Sequence, residues 1–122
     1  MTSATQLNEF IEHLKSEPES IEFSEVMALI ETHYHYQKTD FENGVAPHKV
    51  LNAAGTNEGS CKIFAFAQIN GLSEKQTLAC FGAFYRDDVL KHPDGNDHQN
   101  IRNFMLSGWS GLSFAQAALT PK

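Results

Sequence analysis

Apolar residues recur along this chain at spacings that change from one segment to the next. In residues 3–16, Leu7, Phe10, Ile11 and Leu14 fall at i, i+3, i+4 and i+7, the signature of one helical face. Ser3 followed by Gln6 has the form of a capping box, and Pro18 stops the helix. A second helix is predicted from an N-cap at Ser24 to about His35, with Val26, Leu29, Ile30 and His33 in one stripe. Residues 36–41 then alternate and end in Asn43-Gly44, which suggests a short strand and a turn. Residues 45–59, with Pro47, Gly55 and Gly59, read as an irregular connection. Ser60–Ile69 is apolar on nearly every side and suits a buried strand or a buried helix. Its length, its two alanines and the lead-in Thr56-Asn57-Glu58 favour the helix. Ser73 and Gln76 form a second capping box, opening a helix from 74 to about 91 that His92-Pro93-Asp94-Gly95 stops. Asp97 is expected to cap a last helix over 98–107. A turn at Gly108 then leads to a short strand near 111–115 that could pair with 36–41.

These elements predict a mainly α fold of about five helices with at most a two-stranded ribbon, 36–41 with 111–115. A chain of 122 residues fits one domain spanning 1–122. Hydrophobic residues at 41% and charged residues at 20% are those of a globular chain, and nine Phe supply an aromatic core. The net charge of −6 argues against nucleic-acid and anionic-membrane partners, both of which need clustered Lys and Arg. Neither a bilayer-spanning apolar run nor a Sec signal is expected, so the two cysteines read as reduced thiols of a cytoplasmic protein.

Two polar segments could carry chemistry, and both lie at predicted helix starts. In Asn57-Glu58-Gly59-Ser60-Cys61-Lys62, a thiol near a helix N-terminus beside a lysine would have a lowered pKa. Gly-Ser-Cys entering a helix is similar to the arrangement in papain-like proteases, so Cys61 is a candidate nucleophile with His98 as base. The competing reading makes Cys61 a small buried hydrophobe, and it carries more weight because free cysteines are mostly core residues. In the second segment, 94–103, His98 and Arg102 share a helix face and Asn103 lies on a neighbouring row. Arg102 could clamp an anion there, or the Asn, His and Arg groups could hold loops in place. Asn57, Glu58, Lys62, Asp97, His98, Arg102 and Asn103 therefore mark the expected ligand or partner surface, with Trp109 as a residue that either plugs the core or anchors a partner. No metal and no cofactor are expected. Cys61, Cys80, His92 and His98 lack the short Cys-x2–4-Cys spacing of structural zinc sites, and no phosphate-binding glycine loop or serine-hydrolase motif is present.

At these same positions the chain resembles the HopJ family, named for a type III secretion effector of a plant-pathogenic bacterium. The resemblance rests on Tyr34–Tyr36 with Thr39, Phe41 and Asn43-Gly44, on NEGSCKIFAFAQ (57–68), and on QTLACFG with Tyr85-Arg86 (76–86). It continues from Pro93-Asp94-Gly95 through DHQNIRNFM (97–105) to Gly108-Trp109, with Lys38 departing where a proline is expected. It implies a small bacterial protein, cytoplasmic or secreted by a type III system if the effector description holds, and it brings no catalytic residues with it. The expected function is a binding or interaction protein with an unidentified protein or small-molecule partner. The alternatives are a small Cys61/His98 enzyme, with enzymatic activity the less favoured class, and an anion binder at the helix starts near Asn57 and Arg102.

Overall fold

The computed structural model describes residues 3–122, with side chains from residue 5 onward, so the capping box on Ser3 and Gln6 lies outside the described residues. Helix α1 spans Ser3–Ser16 and a 3-10 turn follows at Pro18–Ser20. Helix α2 runs Phe23–His33; its cap is Glu22, in a capping box with Glu25, rather than Ser24. The stretch around residues 34–43 forms two strands instead of one. β1 (Tyr34–Tyr36) leaves α2 directly, and β2 (Phe41–Asn43) follows after a bend. β1 pairs antiparallel with β5 (Leu119–Pro121), Tyr36 opposite Leu119. β2 is the middle of a three-stranded sheet between β3 (Val50–Asn52) and β4 (Ser113–Phe114). Phe41 opposes both Asn52 and Phe114, so the expected pairing with 111–115 forms from residue 41 onward, and β3 arises within the segment read as irregular.

Helix α3 (Glu58–Ile69) is the centre of the fold. Cys61 and all five residues from Ile63 to Ala67 are buried, as in a helix enclosed on nearly all sides. Phe64 packs against Phe104 (4.9 Å between ring centroids) and Phe81 (5.5 Å), while Phe66 meets Phe10 and Tyr34 edge to face. Such aromatic pairs add stability beyond their buried area.

The helix expected over 74–91 is broken. α4 covers only Glu74–Ala79, with the Ser73/Gln76 capping box in place, and a π-helical segment follows at Phe84–Val89. The break lies at Gly82, whose φ of +60° is left-handed; a Cβ there would stand 2.7 Å from the backbone nitrogen of Phe23. Chain therefore crosses chain too closely for a continuous helix with side chains. Helix α5 (Gln99–Ser107) starts after His98 and not after Asp97. With five α-helices and two small sheets among the described residues, the fold is mainly α, as the hydrophobic pattern predicts.

Candidate functional site

The starts of α3 and α5 meet across one cleft of about 480 Å³. Both caps are in the left-handed conformation, Asn57 at φ 51° and His98 at φ 50°, which Asn and His tolerate better than most residues. Neither side chain caps its own helix. The Asn57 amide instead donates from Nδ2 to Asn52 Oδ1 at 2.7 Å. His98 Nε2 lies 3.0 Å from Asp88 Oδ2, and its ring packs at a tilt of 42° against Phe84, 5.4 Å between centroids. Phe23, Phe81 and Phe84 form the apolar lining, with Asn57, Ser60, His98 and Gln99 supplying polar groups. Gly59 makes this approach feasible, since a Cβ there would sit 2.8 Å from Phe23 Cζ.

Beneath the cleft, four asparagines lock the sheet to α5. Asn100 Oδ1 accepts from Asn43 Nδ2 (3.0 Å) and Asn52 Nδ2 (3.1 Å), and Asn100 Nδ2 donates to Asn52 Oδ1 (2.9 Å). Asn103 Nδ2 donates to the carbonyls of His48 (2.6 Å) and Asn43 (3.2 Å). All four side chains belong to buried residues, where paired amides cost little and unpaired ones cost a great deal.

The expected site residues divide into three groups. Asn57 and His98 line the cleft. Glu58 and Lys62 face another way: Lys62 Nζ stands 4.7 Å over the Tyr36 ring, and burial, reinforced by the Glu58 carboxylate, pushes the Tyr36 phenol up. Asp97, Arg102, Asn103 and Trp109 hold structure together. Arg102 donates from Nε to the Asp97 carbonyl (2.6 Å), from Nη2 to Asp97 Oδ1 (2.7 Å) and from Nη1 to the His92 carbonyl (2.9 Å), closing the 92–97 loop. The hydrogen bond from Arg102 holds the exposed Asp97 carboxyl below its ordinary range. Trp109 packs edge-on against Phe104 at 5.0 Å, and its backbone N–H donates to Glu74.

The expected lowering of the Cys61 pKa is reversed. The residue is 1% exposed, and burial pushes the thiol up despite the nearby Tyr36 hydroxyl and Lys62. The backbone N–H of Cys61 is already spent on the Asn57 carbonyl (3.0 Å), so the residue lies beyond the free amides of the first turn. His98 pairs with Asp88 and lines the cleft, whereas Cys61 is buried and does not line it. A buried thiol with a raised pKa and an imidazole engaged by Asp88 do not favour a nucleophile–base pair. Asp88 escaped the sequence reading because it lay on a helix expected to be continuous, where an acidic residue reads as a solvated face. Asn43 and Asn52 escaped it because Asn beside Gly or in a loop reads as a turn residue. Among the described residues, no group of three or more His, Cys, Asp or Glu could hold a metal ion, and no helix is long and apolar enough to cross a membrane.

A single aromatic core carrying a cleft between two helix starts defines a small, mainly α protein with a preformed concave site. The family model described as HopJ type III effector protein matches residues 7–119, and the chain belongs to that family. The crystal structure of VPA0580, a protein of unknown function, is similar at a TM-score of 0.90 and 53% identity, over 95% of this chain and 93% of that one. No curated protein matches the chain.

Proposed function

We propose that this protein is a small binding protein whose working surface is the cleft between the starts of α3 and α5. The observation that carries this reading is the meeting of Asn57, Ser60, His98 and Gln99 over a lining of Phe23, Phe81 and Phe84, in about 480 Å³ of concave space. Apolar walls with a few convergent polar groups are the usual make-up of a small-molecule site. Phenyl rings suit a flat apolar body, and the first-turn amides of α3 and α5 suit a carboxylate or phosphate on its edge. Melting temperatures measured with aromatic carboxylates and nucleoside monophosphates test this. A binding compound at 100 times its Kd should add about 2.7 kcal/mol of stability. Ser60→Phe, which fills the cleft, should abolish that gain, as should His98→Ala for ligands that use its ring. No shift with any member of either class, or an equal shift in Ser60→Phe, would overturn the reading.

The family match supports a second reading, that the chain is cargo of a type III secretion system. A reporter fused to its C-terminus should leave cells with a working type III system and stay inside cells whose export ATPase is deleted. Equal retention in both strains counts against export.

A further inference from the structure

A groove of about 500 Å³ lies between the end of α1, the 3-10 turn after it, α4 and the π-helical segment, and it shares no lining residue with the α3/α5 cleft. Pro18, Ala79, Tyr85 and Leu90 give it apolar walls, and Leu90 is 47% exposed. Lys15, Lys75 and Arg86 line it as well, three of the nine Lys and Arg residues in a chain of net charge −6. Glu19 is the single carboxylate among the lining residues, and it forms no ion pair with any of the three.

Elsewhere carboxylates answer the cations: Glu42 lies 2.9 Å from Lys49, Asp87 3.1 Å from Lys91 and Asp97 2.7 Å from Arg102. In the groove they do not. Lys15 reaches Glu12 only at 3.9 Å, and Lys75 has no ion-pair partner among the described residues. Arg86 is half-buried, and its Nη1 donates to the Ile21 carbonyl (2.8 Å), which fixes the guanidinium. No described carboxylate stands within ion-pair distance of it. Its Nε and Nη2 make no hydrogen bond to the described residues, and neither is sealed from solvent. Those two nitrogens form the edge that takes a carboxylate through two parallel hydrogen bonds, and in Arg102 the same edge is closed on Asp97.

A fixed guanidinium with that edge open, a lysine without a counter-ion and apolar walls together fit an anion with an apolar tail. The walls are aliphatic apart from Tyr85, unlike the three phenyl rings of the cleft, so they suit a slender chain better than a flat ring. Helices and turns border the groove, with no strand edge to pair a peptide backbone, which favours a free acid over the end of a protein chain. We propose that this groove binds a free alkyl carboxylate. The head lies on the Nε/Nη2 edge of Arg86 with Lys75 as the second cation, and the chain lies along Pro18, Ala79 and Leu90.

Titration calorimetry of the full chain with octanoate and decanoate tests this, with acetate, 1-octanol, octyltrimethylammonium and a short acidic leucine-containing peptide as controls. Both acids should bind saturably, decanoate the more tightly by up to about fourfold for each methylene it buries beyond octanoate. The alcohol and the ammonium ion should bind at least tenfold more weakly. Lys75→Glu and Arg86→Gln should each weaken decanoate at least tenfold, whereas Ser60→Phe, which fills the cleft, should leave its affinity unchanged. Arg86→Gln also gives up the bond to Ile21; if that variant does not fold, the exposed Lys75→Glu carries the test. No saturable binding up to about 10 mM, equal affinity for the alcohol, or binding of the peptide alone overturns the proposal. So does decanoate binding that survives the groove substitutions or is lost in Ser60→Phe.

Discussion

Asn100 works in both directions at once, accepting from Asn43 and Asn52 through Oδ1 and donating back to Asn52 through Nδ2. Removing its side chain strands Asn52 Nδ2, left with only the Val50 carbonyl at 3.5 Å, at about 1–3 kcal/mol for one stranded group, whereas Asn43 Nδ2 keeps the Asn100 carbonyl (2.8 Å) and Asn52 Oδ1 keeps the Asn57 amide (2.7 Å). Asn100→Ala should therefore lose about 1–3 kcal/mol of stability in urea unfolding, more than an exposed asparagine such as Asn96→Ala. Sequence reading weighed two fates for the Asn/His/Arg cluster, a binding surface or a set of loop ties, and it could not choose. Amide and guanidinium groups serve both purposes with the same hydrogen bonds. Burial decided the matter residue by residue: Asn100 and Asn103 turned inward and Arg102 onto its own loop, while His98 was left facing the cleft.

Local signals served well where an element depends on its own residues. The stripe on α1, the stop near Pro18 and the Ser73/Gln76 box all appear as read, because capping and a single buried face are local physics. They failed where distant chain intervened. The interruption after α4 exists because Gly82 must pass the backbone of Phe23, and nothing within residues 74–91 announces that neighbour. Gly71 makes a useful contrast, since it also has a positive φ (+63°) but nothing within 4 Å of its missing Cβ. Gly71→Ala should cost about 1–2 kcal/mol, the strain of a left-handed residue alone. Gly82→Ala should cost at least about 1–3 kcal/mol more, because backbone cannot move aside as a side chain can. Denaturant midpoints of the two variants, side by side, check the difference.

Across the whole molecule, the buried thiols, together with the raised Tyr36 phenol, govern how stability responds to base. Burial, with Glu25 as a smaller contributor, pushes Cys80 from 9.0 up to about 12, and Cys61 moves in the same direction. Below the unfolded value both states hold the proton, so the thiols add no pH dependence near neutrality. Above it the unfolded chain gives up its protons while the folded chain keeps them, and stability falls as pH rises from 9.0 towards about 12. Cys80→Ala should flatten this alkaline decline, measured by urea unfolding at a series of pH values. A slope unchanged by the substitution would assign the decline to other groups.

Hydrophobic periodicity, capping residues and composition by themselves determined a mainly α chain built around an apolar central helix, and the run of residues shared with the HopJ family was legible before any coordinates. The tertiary structure alone decided the β1–β5 and β2–β3 pairings, the break at Gly82, the inward turn of Cys61 and the meeting of Asn57 with His98. Periodicity and capping act over a few residues, whereas pairing, desolvation and the shape of a cleft depend on which distant segments are brought together. A thiol in the first turns of a helix has a lowered or a raised pKa according to what covers it, and only the folded chain supplies the cover.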